Sequence, residues 1–168
     1  MLTEYAKREE IPEIAAFIDS ARRAAYRHIL APEYLASMRV EERIKGLLER
    51  FDSSHLQFLR MRDGNGIAGV AVFGKSITES YPDDGEVSAL YLRLDCTGKG
   101  YGHALLGNAE TALVEMGYTA FVIDVFTENE RAIKFYKAHG YKQIDENRIE
   151  FGGKEYPYTV FRKIKERE

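Results

Sequence analysis

Apolar residues along this chain recur at two periods, and the switches between them mark the elements. Leu2 to Ala6 reads as a short strand. Ile11, Ile14, Ala15, Phe17, Ile18 and Ala21 then repeat at helical spacing, with Pro12 tolerable in a first turn. Leu35, Met38, Ile44, Leu47 and Leu48 give the apolar face of a second helix, predicted from about Pro32 to Phe51. The period then shortens. "HLQFLRMR" alternates in part, "DGNG" is a strong hairpin signal, and "IAGVAVFGK" is the return strand.

"SITESYPDDG" is a polar loop, and "EVSALYLRL" is a strand that runs into the stretch "DCTGKGYGHALL". Ala104, Leu105, Ala109, Ala112, Leu113 and Met116 predict a helix that stops at Gly117. "TAFVIDVF" is nearly continuous in apolar residues, as in a strand buried on both faces. "ENERAIKFYKAHG" predicts another helix, and "YKQIDENRIEF" and "KEYPYTVFRKI" close the chain as a hairpin about Gly152–Gly153. The order β-α-α-β-β-β-α-β-α-β-β implies a mixed α/β layer with a parallel crossover at its centre.

Composition narrows the class. The chain has 168 residues, 45% hydrophobic and 30% charged, with no linker or repeat, so residues 1–168 are expected to form a single domain. A net charge of −3 without a basic run gives no bulk attraction to nucleic acid. The single cysteine, Cys96, suggests neither a disulfide nor a metal site and reads as a small packing residue. The N-terminus lacks an apolar leader and no stretch reaches membrane-spanning length, so a cytoplasmic protein with no membrane partner is expected.

The candidate chemistry lies in Gly98, Gly100 and Gly102. A strand, a glycine turn and a helix N-terminus make an anion site, because first-turn N–H groups are unpaired and carry the positive end of the dipole. A plain turn with a cap would need one glycine. Three alternate glycines favour a phosphate, with Lys99 and His103 at the rim. The Rossmann pattern fails at Leu105, the Walker pattern fails at Gly100 after Lys99, and kinase-type loops join two strands.

The stretch resembles the core motif of the GNAT superfamily of N-acetyltransferases, [Q/R]-x-x-G-x-[G/A] after a Leu-Tyr-Val strand. Here Leu90-Tyr91-Leu92 precede Thr97-Gly98-Lys99-Gly100-Tyr101-Gly102. Thr97 departs from the family's Gln or Arg, which puts a side-chain role there in doubt. A second block, Asn129, Ala132, Tyr136, Gly140 and Tyr141, is similar to the family's C-terminal signature.

The resemblance implies a GNAT fold: a twisted, mostly antiparallel sheet of about six or seven strands with a splayed parallel pair, flanked by about four helices. It implies acetyl-CoA as cosubstrate, its pyrophosphate on the amides of Thr97 to His103 and its pantetheine arm along Leu90 to Leu92. An N–H near Leu90 or Tyr91 would polarise the acetyl carbonyl. Asn129, Ala132, Phe135 and Tyr136 would line the arm's far side, with Tyr136 as general acid to the sulfur. The competing reading of Tyr136 is a core aromatic.

Transfer to an amine also needs a base, directly or through water. Glu86 stands eleven positions before Thr97, the spacing of the catalytic glutamate in the histone-acetyltransferase branch. It is equally an exposed carboxylate at a strand start. Asp124, inside an apolar strand, is expected to be structurally paired. Tyr26, His28 and Tyr34 fall where the family often walls its acceptor pocket, though each is more often structural.

The expected function is direct acetyl transfer from acetyl-CoA to a primary amine in a ternary complex. The charge and the acidic "ESYPDDGE" loop lean toward a small cationic amine, polyamine- or aminoglycoside-like. A protein N-terminus or lysine, or a CoA-binding sensor with little catalysis, is the alternative. Homodimers are frequent in the family, and the C-terminal hairpin offers an edge for one.

Overall fold

The computed structural model describes residues 1–167. The alternation in residues 55–62 does what it predicts: β2 (Leu56–Asp63) sends Leu56 and Phe58 to one face of a sheet and Leu59 and Met61 to the other. β3 (Gly66–Lys75) is buried along almost its whole length, because helices cover both faces.

The sheet has seven strands in the order β1 (Thr3–Tyr5), β2, β3, β4 (Gly85–Leu92), β5 (Ala120–Phe126), β7 (Lys154–Ile164), β6 (Lys142–Phe151). Every neighbouring pair is antiparallel except β4 and β5. This is the mixed, mostly antiparallel sheet with one parallel pair that the family resemblance implies.

One face carries α1 (Ile11–Ala25) and α3 (Val40–Asp52), with Ile11, Ile14, Ile18 and Leu47 packed on Phe58, Val70 and Val72. The other carries α4 (Tyr101–Glu115) and α5 (Glu130–Ala138), with Leu105, Leu106, Leu113 and Tyr136 on Met61, Phe73, Phe121 and Phe161. Each leucine of α4 that is wholly buried there contributes about 1.5–3 kcal/mol.

Five α-helices are present among the described residues rather than about four, because the helix predicted from Pro32 to Phe51 is two. α2 (Pro32–Ser37) stops at Met38, and both Met38 and Arg39 are extended. The cause lies outside the segment. The Arg23 guanidinium, held by Asp19, donates to the carbonyls of Leu35 and Met38, the latter at 2.6 Å, and caps the end of α2. Local periodicity carries no trace of a long-range cap.

The parallel pair is short. β4 and β5 are in register only at Gly85–Phe121 and Glu86–Val122. The β3–β4 ladder slips between Val72 and Phe73, opposite Ser88, so a bulge lies where β4 leaves β5. Bulges bend and twist the strand that carries them. From there β4 has no strand partner on its β5 side, and a wedge opens between the two.

Candidate functional site

The wedge forms a cavity of about 790 Å³. β4 walls it from Val87 to Leu92 and β5 from Ile123 to Val125. The loop after β4 closes one end, and α1 and α5 close the sides.

The glycine loop is built for two separate reasons. Gly98 (φ +72°) and Gly100 (φ +83°) are left-handed, and a Cβ at either would meet nothing within 4 Å. They are needed for conformation, which turns the chain into α4 with Gly100 as its cap. Gly102 has ordinary helical φ. There a Cβ would lie 3.3 Å from Phe135 and 3.4 Å from Leu92, so Gly102 is needed for approach. The first bond within α4 is Ala104 N–H to Gly100 O (3.1 Å), and the amides ahead of it face the loop.

Arg93 anchors the base of the loop. Its guanidinium donates to Asp63, to Asp95 (2.6 Å) and to the Ile67 carbonyl (3.1 Å), fixing the end of β4 to the β2–β3 hairpin. Thr97, the irregular position, turns inward: its amide (3.3 Å) and its hydroxyl (2.8 Å) both donate to Leu94 O. It closes the single 3₁₀ turn, Leu94–Cys96, that joins β4 to the glycines. Cys96 is buried beneath, as a packing residue.

Most sequence-derived site residues meet in this cavity. Leu90, Tyr91 and Leu92 line it from β4, and Thr97, Gly98, Gly100, Gly102 and His103 from the loop and the first turn of α4. Asn129, Ala132, Phe135 and Tyr136 line it from the start and inner face of α5. The Asn129 side-chain oxygen accepts from Ala132 N–H (3.3 Å) and caps α5, which leaves its Nδ2 donors for the cleft. Lys99 and Tyr101 are not among the lining residues: Lys99 is exposed and Tyr101 packs on the core.

Three phenols converge on the cleft. Tyr26 and Tyr91 share a hydrogen bond, oxygen to oxygen 3.0 Å. Tyr136 is 7% exposed. Burial pushes the Tyr136 phenol far above its usual range, with the nearby Tyr26 adding to the rise.

Glu86 also differs from an exposed strand-start carboxylate. It is 6% exposed, stands outside the cavity lining, and accepts from the Ile77 amide (2.8 Å) under the loop that joins β3 to β4. Burial raises its carboxyl above the usual range despite that bond, and the neighbouring Asp124 raises it further.

The carboxylate facing the cavity is Asp124. The sequence suggested structural pairing, but no Lys or Arg pairs with it among the described residues, and Thr78 Oγ1 stands 3.5 Å away. Asp124 keeps an open surface toward the cleft, yet its walls take enough water from the carboxyl to raise it above the usual range. Its signal was a lone charge in "TAFVIDVF". The α1 wall (Phe17, Ser20, Ala21, Ala24) was also missed, since Phe17 and Ala21 read as core and Ser20 and Ala24 carry no chemical signal.

Of the remaining candidates, Tyr26 lines the cavity, whereas Tyr34 stacks on Phe151 (4.9 Å) and His28 is exposed. Tyr158, on β7, lies outside the cavity lining; its phenol is raised by burial and then by the field of Asp124, Asp145 and Glu79. No helix among the described residues is long and apolar enough to cross a membrane.

Comparison with known proteins agrees with this geometry. A family model described as the acetyltransferase (GNAT) family matches residues 19–141. A Bacillus subtilis (strain 168) protein, the uncharacterized N-acetyltransferase YuaI, is 29% identical over 150 residues, 88% of this chain and 84% of that one. The PaiA N-acetyltransferase of Thermoplasma acidophilum, solved in complex with coenzyme A, superposes with a TM-score of 0.77 at 22% identity, over 98% of this chain and 99% of that one. YncA of Salmonella typhimurium, solved with acetyl-CoA, superposes with a TM-score of 0.74 at 17% identity, over 100% and 95%. At such identities the structural likeness is one of fold.

Proposed function

The chain belongs to the GNAT family of acetyltransferases, and from that premise we propose that it moves the acetyl group of acetyl-CoA onto a small cationic amine by direct attack in a ternary complex. The observation that carries the reading is the wedge itself. Past Glu86 and Val122 the parallel strands part, and the opening has a glycine loop at one end and Tyr136 and Asp124 along its walls.

The residues present fit coenzyme A. The open amides from Gly98 to His103, at the positive end of the 15-residue α4, suit a pyrophosphate. The unpaired edge of β4 at Leu90 to Leu92 offers main-chain bonds to an amide-bearing pantetheine arm, with Asn129 Nδ2 across from it and Ala132 and Phe135 as apolar walls. Bound acetyl-CoA supplies the activated thioester.

The chain's own groups do the rest. A β4 amide at Leu90 or Tyr91 donates toward the developing oxyanion. Asp124 removes a proton from the incoming ammonium, directly or through a water. Its raised carboxyl is better matched to that task than an ordinary aspartate. Glu86 stays outside the cleft, beneath the loop from β3 to β4. The amine nitrogen bonds to the acetyl carbon as the carbon–sulfur bond breaks. Tyr136, which keeps its proton at neutral pH, donates a hydrogen bond to the departing thiolate. The second proton of the attacking nitrogen passes to that sulfur, directly or through a water, to give the free thiol.

The acceptor class rests on charge. Asp124 faces the cleft with no cationic partner among the described residues, and Asp145 and Glu79 act with it on the nearby Tyr158 phenol, which favours an acceptor with more than one positive charge. The test compares kcat/KM for a triamine, a monoamine of similar length, and an acidic amino acid, at low and high salt. The triamine is expected to lead by about tenfold or more, with the lead shrinking in salt. Preference for an uncharged or acidic amine would refute the acceptor class.

A further inference from the structure

His103 and His139 meet where α4 begins and α5 ends. His103 Nδ1 is 2.9 Å from His139 Nε2, and His139 Nδ1 is 2.7 Å from the Phe135 carbonyl oxygen. The order of atoms fixes the protons. A carbonyl only accepts, so His139 carries its proton on Nδ1. In neutral His139 the Nε2 is then a lone pair, and it accepts from His103 Nδ1–H. Neutral His103 is thereby left with a bare lone pair on Nε2, the nitrogen turned away from His139. His103 lines the cavity at the glycine loop, and His139 does not.

A lone pair there would repel a phosphate held at the glycine loop. One proton on Nε2 makes His103 a cationic donor without disturbing its bond to His139. A second proton, on His139 Nε2, would set N–H against N–H across 2.9 Å. The pair therefore takes up one proton and no more. Neither ring has a carboxylate partner among the described residues. The charged side chains on the elements that meet there are Lys99 on the loop, Glu130, Arg131, Lys134 and Lys137 on α5, and Glu110 and Glu115 further along α4. Glu110 is occupied by Lys163 (2.8 Å) and the Tyr141 hydroxyl (2.8 Å).

We propose that His103 and His139 form a one-proton acceptor at the phosphate end of the cleft, so that binding of coenzyme A takes up a proton and tightens as pH falls. This rests on the glycine loop holding the cofactor's pyrophosphate. The sign follows from linkage: a bound anion favours the charged imidazole, so the complex binds more protons than the free protein, and affinity rises with proton concentration between the two midpoints.

The test is isothermal titration calorimetry of the full chain with dephospho-coenzyme A, whose pyrophosphate does not titrate near neutrality. This avoids the 3′-phosphate of coenzyme A, which titrates near pH 6 itself. Repeating the titration in buffers of different ionisation enthalpy counts protons. Net proton uptake is expected on binding, with a roughly three- to tenfold weakening from about pH 6 to 8. His103→Gln is expected to bind with no uptake and a flat profile. His139→Phe frees His103 to carry its proton on Nε2, so affinity at pH 8 should rise above that of the unsubstituted protein, which a purely structural role would not produce. Binding without proton uptake overturns the proposal and leaves the cofactor reading standing. No binding of either dephospho-coenzyme A or coenzyme A overturns both.

Discussion

Gly102 and Phe135 hold α4 against α5 at the cofactor end of the cleft: a Cβ on residue 102 would stand 3.3 Å from Cε2 of Phe135. Gly102→Ala gains helix propensity of about 1 kcal/mol but displaces a cavity wall. Stability is expected within about 1 kcal/mol of the unsubstituted protein, while coenzyme A affinity falls severalfold. Gly100→Ala meets no neighbour but must hold φ near +83°. It is expected to lose about 1–2 kcal/mol in urea unfolding. The two substitutions separate approach from conformation.

Tyr136→Phe removes the phenol oxygen from the cleft and keeps the ring. Turnover is expected to fall about a hundredfold, within the range for a lost proton donor. Coenzyme A affinity should stay within a factor of about two or three, since the pyrophosphate contacts lie elsewhere. A large loss of affinity with unchanged turnover would make Tyr136 a wall rather than a donor.

Asp124 is protonated up to a higher pH than an ordinary aspartate, and the amine needs the carboxylate form. kcat/KM is expected to climb with pH along an acid limb lying above the usual aspartate range. Asp124→Asn should lower kcat/KM by about a hundredfold and abolish that limb. A limb unchanged in the variant would assign the proton to another group.

Glu86 makes a second, opposite kind of prediction. Its folded-state carboxyl is raised above its unfolded value, so the folded protein holds the extra proton. Stability is thus lost as pH rises from below the unfolded value through the folded one. Glu86→Gln keeps an oxygen for the Ile77 amide and carries no charge. Its melting temperature is expected to exceed that of the unsubstituted protein at pH 8, with the difference vanishing near pH 4.

Arg23 joins α1 to the end of α2 by donating to Leu35 O and Met38 O. Arg23→Ala leaves those carbonyls without their charged donor. It should cost about 1.5–3 kcal/mol by urea unfolding.

The framework of the fold was legible because its elements carry their own periods. The alternation before "DGNG", the helical repeat after Gly102 and the apolar run at residues 119–126 each specify one element without help from elsewhere. What was not legible depends on distant partners. The break at Met38 is made by Arg23, on another helix. The role of Thr97 is set by a turn whose acceptor is Leu94 O.

The two carboxylates show the same limit. From its neighbours in sequence Glu86 stands evenly between a catalytic base and an exposed carboxylate, and Asp124 looks paired. The bulge at Ser88 and the parting of β4 from β5 put Asp124 at the cavity and Glu86 beneath the loop from β3 to β4. The glycines stand out in the sequence as a group, but only the geometry divides them into two left-handed turns and one close approach.

Acetyl transfer itself is the most direct consequence of this site. Purified protein with acetyl-CoA and a panel of polyamines, aminoglycosides, amino acids and peptide N-termini can be followed by release of free thiol, with the acetylated amine identified by mass spectrometry. One thiol released per acetylated amine, strongest with polycationic acceptors, is the expected result. Absence of amine-dependent thiol release across the whole panel, in protein that binds coenzyme A, would contradict it.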